Sequence, residues 1–281
     1  MLRVALPNKG QLAEPAKEML REAGYLRSHS PRDLVVVDPE NDVEFFFLRP
    51  KDVALYVGEG TLEVGITGRD MLIDSRATAR EVLPLGFAPS RFRLAAPAGR
   101  FADAHELAGH RIATSYPVLL RRWLDDQGIT AAVVRLDGAV ENAVRLGVAD
   151  AVADVVDTGT TLKQAGLMLL GDPVLVSEAV VVRPEGAAAD AAVDTFLRRL
   201  QGVMTARSYV LVDYDIPDGL VELACALTPG LESPTVAPLH ETGWSAVRAV
   251  VPKTDVHRIM DSLADLGGRG ILVTSILACR L

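Results

Sequence analysis

From Leu2 to about residue 206, short apolar runs alternate with amphipathic segments, and this alternation restricts the fold more than any other feature of the chain. "LRVALP" at 2–7 has the pattern of a buried strand. Leu12, Ala16, Met19 and Leu20 share one face of the helix that follows, from Gln11 to about Glu22, and Gly24 closes it. "DLVVVD" and "VEFFFLR" are strands around the turn "PEND", and "RPKDVALYVGEG" is a helix with Pro50 in its first turn. "LEVGITGRD" passes from strand to helix start, and "VLPLGF" is again a strand. The pattern then repeats through "RFRLAAP", a short helix near 103–108, "HRIATSYP" and a helix beginning at Pro117. "AAVVRLDG" is a strand, "AVENAVRLG" a helix, "ADAVADVV" a strand, and "LVSEAVVVRP" one more strand before a long helix at about 189–206. Such alternation predicts α/β layers with a mainly parallel sheet.

At Tyr209 the order changes. "YVLVDYD", a helix at 216–226, "ESPTVAPLH", "WSAVRAVVP", a helix at 255–266 and "GGRGILVTSILACRL" give βαββαβ, the ferredoxin-like split βαβ. The expected domains are 1–90 with 178–208, 91–177, and 209–281, the strand after 178 returning to the first lobe. Two lobes joined by crossing segments enclose a cleft, a usual ligand position.

A chain of 281 residues that is 49% hydrophobic needs no metal or disulfide staple, and with 5% aromatics its core must be aliphatic. The net charge of −8 argues against non-specific nucleic-acid binding, while local cations leave a small anion open as ligand. Cys225 and Cys279 have no metal-ligand spacing and read as buried reduced thiols. The apolar run in "MLRVALPNKG" is too short for a signal sequence, and no stretch is long enough to span a membrane, so the expectation is a cytoplasmic protein with no membrane partner.

The strongest chemical signal is "ADAVADVVDTGTTL" at 149–162, where Asp154 and Asp157 precede the turn Thr158-Gly159-Thr160-Thr161. Backbone N–H groups at a helix start attract phosphate, the threonines add hydroxyl donors, and Gly159 lets the backbone approach closely. The two carboxylates can accept hydrogen bonds from a ribose diol or hold Mg²⁺ indirectly. A simple N-cap accounts for one such residue, not for the whole group. The stretch resembles the phosphoribosyl-diphosphate loop of phosphoribosyltransferases. It departs from the type I form in that the acids are three residues apart rather than adjacent.

Further motifs narrow the resemblance. "ALPNKG", "FFFLRPKDVALYVGEGTLEVGITGRD" at 45–70, "RIATSYP" at 111–117, "LDGAVENAVRLGVADAVADVVDTGTTL" at 136–162 and "LTPGLESPTVAPL" at 227–239 resemble, in that order, the long, histidine-regulated form of ATP phosphoribosyltransferase. The resemblance implies a two-lobed catalytic portion like a type II periplasmic binding protein, followed by a ferredoxin-like regulatory domain. The implied reaction condenses ATP with phosphoribosyl diphosphate, the first step of histidine biosynthesis, with Mg²⁺ as cofactor and histidine as feedback inhibitor. Dimers assembling into a hexamer are also implied.

By the same resemblance, Lys9, Arg49 and Asp154 are catalytic, and residues 154 and 157–161 hold phosphoribosyl diphosphate. ATP falls to Lys9, Gly10, Arg49, Lys51, Asp70, Tyr116 and Glu141, with Arg32 a weaker candidate. Many relatives carry Lys-Gly-Arg where this chain has Gln11, which lowers the cationic count there. Asp70 would accept from the adenine amino group or a ribose hydroxyl, Tyr116 would border the base, and Glu141 would hold ribose hydroxyls or metal. Asp215, Leu231, Ser233, Thr235 and Gly270 are the implied histidine site, with Asp215 taking the imidazole or the ammonium group. The metal ligands are not assigned.

Overall fold

A computed structural model of the chain describes residues 1–26, 33–156 and 159–280. It separates into two compact units, Met1–Glu18 with Tyr25–Asp194, and Met19–Gly24 with Thr195–Leu281.

In the first unit the apolar run becomes β1 (Leu2–Pro7), buried almost throughout, and α1 (Ala13–Glu22) follows. Next come β2 (Val35–Asp38), β3 (Val43–Leu48), α2 (Pro50–Gly58), β4 (Val64–Gly68), α3 (Arg69–Ser75) and β5 (Ala79–Pro84). The chain continues as β6 (Ser90–Pro97), β7 (Arg111–Thr114), α4 (Pro117–Asp126), β8 (Ala132–Arg135), β9 (Ala151–Val156) and α5 (Thr160–Gln164). Finally β10 (Leu167–Ser177) turns directly into β11 (Ala179–Pro184), ahead of α6 (Ala191–Ser208).

These strands make two open sheets. The first has the order β2-β3-β1-β4-β11-β5 and the second β10-β6-β9-β7-β8. β1 runs parallel to β3 and β4, and β7 parallel to β8 and β9, but β2–β3, β4–β11, β11–β5, β10–β6 and β6–β9 are all antiparallel. The sheets are therefore mixed, not mainly parallel. The reason is that the chain leaves the first sheet after β5, builds the second, and comes back through β11 in the opposite direction. The "LVSEAVVVRP" run is not one strand: it holds the end of β10 and the whole of β11, broken at Glu178. Two open sheets exchanged in this way give the two-lobed, type II binding-protein-like architecture.

Cores form on both faces of the second sheet, as the period of two requires. Phe92, Leu94, Ile112, Ala151 and Ala153 point to one side with Leu119, Leu120 and Leu124 of α4, while Ala95, Ala113 and Val152 point to the other with Leu162 of α5. On the first sheet Val53 and Val57 of α2 pack with Ala5, Val180 and Val182.

In the second unit, β12 (Tyr209–Pro217), α7 (Val221–Leu227), β13 (Thr235–Pro238), β14 (Trp244–Pro252), α8 (Val256–Asp265) and β15 (Arg269–Ser275) form an all-antiparallel sheet of order β13-β14-β12-β15. This is the ferredoxin-like arrangement read from the sequence. Alternate residues of β12, from Val210 to Ile216, are buried against Ala224 of α7 and Val256, Ile259 and Leu263 of α8. Each fully buried aliphatic side chain of that layer contributes roughly 1.5–3 kcal/mol. The buried Tyr214 hydroxyl is satisfied by Thr228 Oγ1 at 2.7 Å. Glu22 and Arg207 pair at 2.8 Å, which ties the end of α1 to α6 within this unit.

Candidate active site

The site residues lie where the strands of the first unit end. Lys9 and Gly10 occupy the turn after β1, anchored by Asn8 N–H donating to the Leu48 carbonyl at 2.8 Å. Arg49 is the extended N-cap residue of α2 and makes no side-chain cap, so its guanidinium projects with Lys51 from a helix start fixed by Pro50. Lys9, Gly10, Arg49 and Lys51 line a cavity of about 550 Å³, together with Ser115, Asp137 and Gly138 from the second sheet's loops. That size suits a nucleotide-scale ligand. A narrower recess of about 130 Å³ shares Lys9, Gly10, Pro50 and Met71 with it and adds Asp70, Tyr116, Val155 and Ser177.

Tyr116 forms part of the wall of this recess. Its ring meets Phe92 edge-on at 5.6 Å, and the Lys51 ammonium lies 4.5 Å from its centroid. Burial, then the charge of Asp70 and a hydrogen bond to it, then the charge of Asp154, push the phenol well above its ordinary range. The hydroxyl is therefore neutral beside Asp70, with which it lines the recess. Asp70 itself is only 4% exposed and accepts from Ser177 Oγ at 2.8 Å, while its own N–H donates to that Oγ at 3.0 Å.

Asp154 lies on β9 beside a second recess of about 290 Å³, lined by Glu141, Gly159 and Thr161. Burial raises its pKa most and Glu141 adds to this, against the Val155 N–H, the Ser115 hydroxyl and Lys51, which lower it. Asp154 is thus a partly buried carboxylate held next to another acid, poised to accept hydrogen bonds or a cation. Gly159 takes a left-handed φ of +72° as N-cap of α5, whose five residues make too short a helix for its dipole to matter much. What remains there for a phosphate is the local N–H groups and the hydroxyls of Thr160 and Thr161.

Of the predicted residues, Lys9, Gly10, Arg49, Lys51, Asp70, Tyr116, Glu141, Asp154, Gly159 and Thr161 line three adjoining recesses, with Thr160 next in the chain to the last two. Asp157, Thr158 and Arg32 lie outside the described residues. Glu141 does not sit on a helix: Val140–Asn142 is a single 3₁₀ turn, because Gly138 and Ala139 both have left-handed φ and spoil a helix start. Sequence reading missed Ser177, Ser115 and Asp137. A serine beside a glutamate inside the apolar run "LVSEAVVV" was the available sign of Ser177. Among the described residues no group of three or more His, Cys, Asp and Glu side chains could hold a metal alone.

In the second unit, Asp215 and Gly270 are close neighbours on β12 and β15: a Cβ on Gly270, at φ +61°, would lie 3.4 Å from Asp215 Oδ2. Thr235 opens β13, which β14 separates from β12, and Leu231 and Ser233 precede it. Cys225 and Cys279 are unpaired and half-buried, not fully buried as expected. No helix of the described residues is long and apolar enough to cross a membrane.

A family model described as ATP phosphoribosyltransferase matches residues 49–202, and one described as HisG, C-terminal domain, matches residues 206–278. ATP phosphoribosyltransferases from Pseudarthrobacter chlorophenolicus and Paenarthrobacter aurescens are 63% and 61% identical to the chain, each match covering 100% of both proteins. Among solved structures, the ATP phosphoribosyl transferase (HisG:HisZ) complex from Thermotoga maritima is similar, with a TM-score of 0.63 and 29% identity over 73% of this chain and 98% of that one. The class that fold and relatives define is that of the pentosyl-transferring enzymes. Within it, the chain belongs to the ATP phosphoribosyltransferase family in its long form, with the C-terminal domain present.

Proposed function

We propose that the protein condenses ATP with 5-phosphoribosyl 1-diphosphate, giving N1-(5-phosphoribosyl)-ATP and pyrophosphate as the first step of histidine biosynthesis. The observation that carries this reading is the placement of Asp154 and Glu141 against Gly159 and Thr161 in one recess, beside a cavity lined by Lys9, Arg49 and Lys51. A sugar diol and its 5′-phosphate match the first group, and polyphosphate matches the second. Residues 1–90 with 178–208 and residues 91–177 act as the two catalytic lobes, and 209–281 as the regulatory domain.

Adenine N1 already has a lone pair, so the chemistry asks for positioning more than deprotonation. The N1–C1′ bond forms as the C1′–O bond to pyrophosphate breaks, with inversion at C1′. Lys9 and Arg49 stabilise the negative charge that develops on the leaving pyrophosphate. Asp154 orients the ribose hydroxyls and offsets positive charge on the sugar carbon. The N–H groups and hydroxyls at 157–161 hold the 5′-phosphate. Tyr116 borders the base, and Asp70, which accepts from Ser177 Oγ, keeps lone-pair capacity for the adenine amino group or a ribose hydroxyl.

Mg²⁺ fits as an ion that arrives with the diphosphate, since Mg²⁺ keeps waters and substrate phosphates and needs only one or two carboxylates. Asp154 and Glu141, whose mutual repulsion a cation relieves, would hold it, and it would supply charge neutralisation of the leaving group.

Histidine inhibition is assigned to Asp215, Leu231, Ser233, Thr235 and Gly270. The protein assembles as a homo-oligomer that proceeds from dimer to hexamer. A cytoplasmic location follows from the substrates.

The test is a spectrophotometric assay of product formation from ATP and phosphoribosyl diphosphate, with pyrophosphate measured in parallel, with and without histidine. Equimolar product and pyrophosphate, suppressed by histidine, are expected. Absence of pyrophosphate release would end the catalytic reading, and indifference to histidine would end the regulatory one.

A further inference from the structure

Helix α3 belongs to the first sheet by connection, since it leaves β4 and leads to β5, yet its side chains Met71 and Ile73 pack into the core of the second sheet. One residue further on, Asp74 makes a second link. α4 begins with Tyr116 as N-cap and Pro117 as first residue, and Tyr116 provides no side-chain cap. The N–H groups that this leaves exposed, of Val118 and Leu119, both donate to Asp74 Oδ1, at 2.8 and 3.1 Å. The helix is capped from the other sheet. A carboxylate at this position satisfies two orphan donors and meets the positive end of the helix.

The residue held at that capped end is Tyr116, which lines the narrow recess together with Asp70, at the opposite end of the same helix α3. α3 therefore meets the second sheet twice, through the Asp74 cap on α4 and through Met71 and Ile73 in the core. We infer that Asp74 is a positioning residue, which fixes the two sheets at the spacing that sets Tyr116 in the recess with Asp70 and under the Lys51 ammonium. It touches no substrate in this arrangement and acts through Tyr116. The inference rests on the functional reading above only for its kinetic consequence.

The test compares full-length wild type, Asp74→Ala and Asp74→Asn. Asn accepts the same two hydrogen bonds and is as good a cap as Asp. In Asp74→Ala, hydrogen exchange at the Val118 and Leu119 amides should accelerate by about tenfold or more, as expected for loss of a cap. The fluorine NMR resonance of Tyr116 in 3-fluorotyrosine-labelled protein, identified with Tyr116→Phe, should shift in the same variant, and Asp74→Asn should restore both. KM for ATP should rise in Asp74→Ala by about tenfold, as a misplaced contact surface predicts, and return to within about threefold in Asp74→Asn. A purely structural role would lower the melting temperature while leaving KM and the Tyr116 resonance unchanged, and that outcome overturns the inference. So does equal damage in the two variants. If the wild type fails to join ATP to phosphoribosyl diphosphate, the functional reading falls, and the Tyr116 resonance still decides the positioning role.

Discussion

Lys51 donates to the Ser115 carbonyl at 2.7 Å while its ammonium stands 4.5 Å from the centre of the Tyr116 ring. A residue at the start of α2, on the first sheet, thus holds the end of β7, on the second. Its charge is also one of the influences that lower the pKa of Asp154 against burial and Glu141. Lys51→Met should let Asp154 protonate more readily, so the acid limb of the kcat/KM profile should move to higher pH. Lys51→Arg should leave it in place. Equal profiles for wild type and Lys51→Met would separate Lys51 from Asp154.

Asp154→Asn should lower kcat by about 10²-fold or more, the usual scale for removing one preorganised electrostatic contact. Its effect on stability should have the opposite sign. Because the folded-state pKa of Asp154 is raised, the residue favours folding below the unfolded pKa and loses that contribution as pH rises through the folded value. At neutral pH the ionised carboxylate opposes folding, and Asn removes the charge while keeping an acceptor for the Val155 N–H. The melting temperature at pH 7 should rise by roughly a few degrees, and the gain should shrink toward about pH 4. A lowered melting temperature at pH 7 contradicts this account of Asp154.

Thr161→Ala removes a hydroxyl from the recess that Asp154 lines. Hydrogen bonds to charged groups are worth about 1.5–3 kcal/mol, so KM for phosphoribosyl diphosphate should rise by roughly 10–100-fold, with a much smaller change for ATP. Initial-rate kinetics with each substrate varied in turn checks the order, and a larger effect on ATP reverses the assignment.

Two glycines of β4 should behave differently when replaced by alanine. A Cβ on Gly65 would lie 2.7 Å from Val53 Cγ1 and 3.0 Å from both Ala5 Cβ and Val57 Cγ2, inside the packed layer between α2 and the sheet. Gly65→Ala should destabilise by about 1–3 kcal/mol through overpacking, read by denaturant unfolding. On Gly68 the Cβ would collide with Asp70 Oδ1, which accepts from Ser177 Oγ. Gly68→Ala should therefore reduce turnover more than stability. If both variants lose stability and activity in the same proportion, the distinction between the two positions fails.

Much of this arrangement was legible because it depends on local pattern. β1, β9 and β12 follow from their apolar runs or strict alternation, and the start of α2 follows from Pro50. The acids and threonines of 154–161 announce themselves by their proximity in the chain. Non-local features were harder to see. β10 is interrupted by Gly171-Asp172-Pro173 and its register shifts between Leu170 and Leu175, so the run lacks a strand period. The helix expected at 139–147 is reduced to the 3₁₀ turn Val140–Asn142, because Gly138 before it and Ala139 at its start are both left-handed. Asp70 with Ser177 and Asp74 with Val118 join residues 107 and 44 positions apart, and no spacing rule marks such pairs.

The position of β11 between β4 and β5 has a consequence for how the chain is made. Among the described residues β5 finds its sheet neighbour in a strand translated about a hundred residues later, so β5 stays unpaired while the ribosome synthesises residues 85–178. Every strand of the second sheet comes from the unbroken stretch 90–177. The later-encoded sheet can thus close first, and the arrival of residues 179–184 then completes the earlier one.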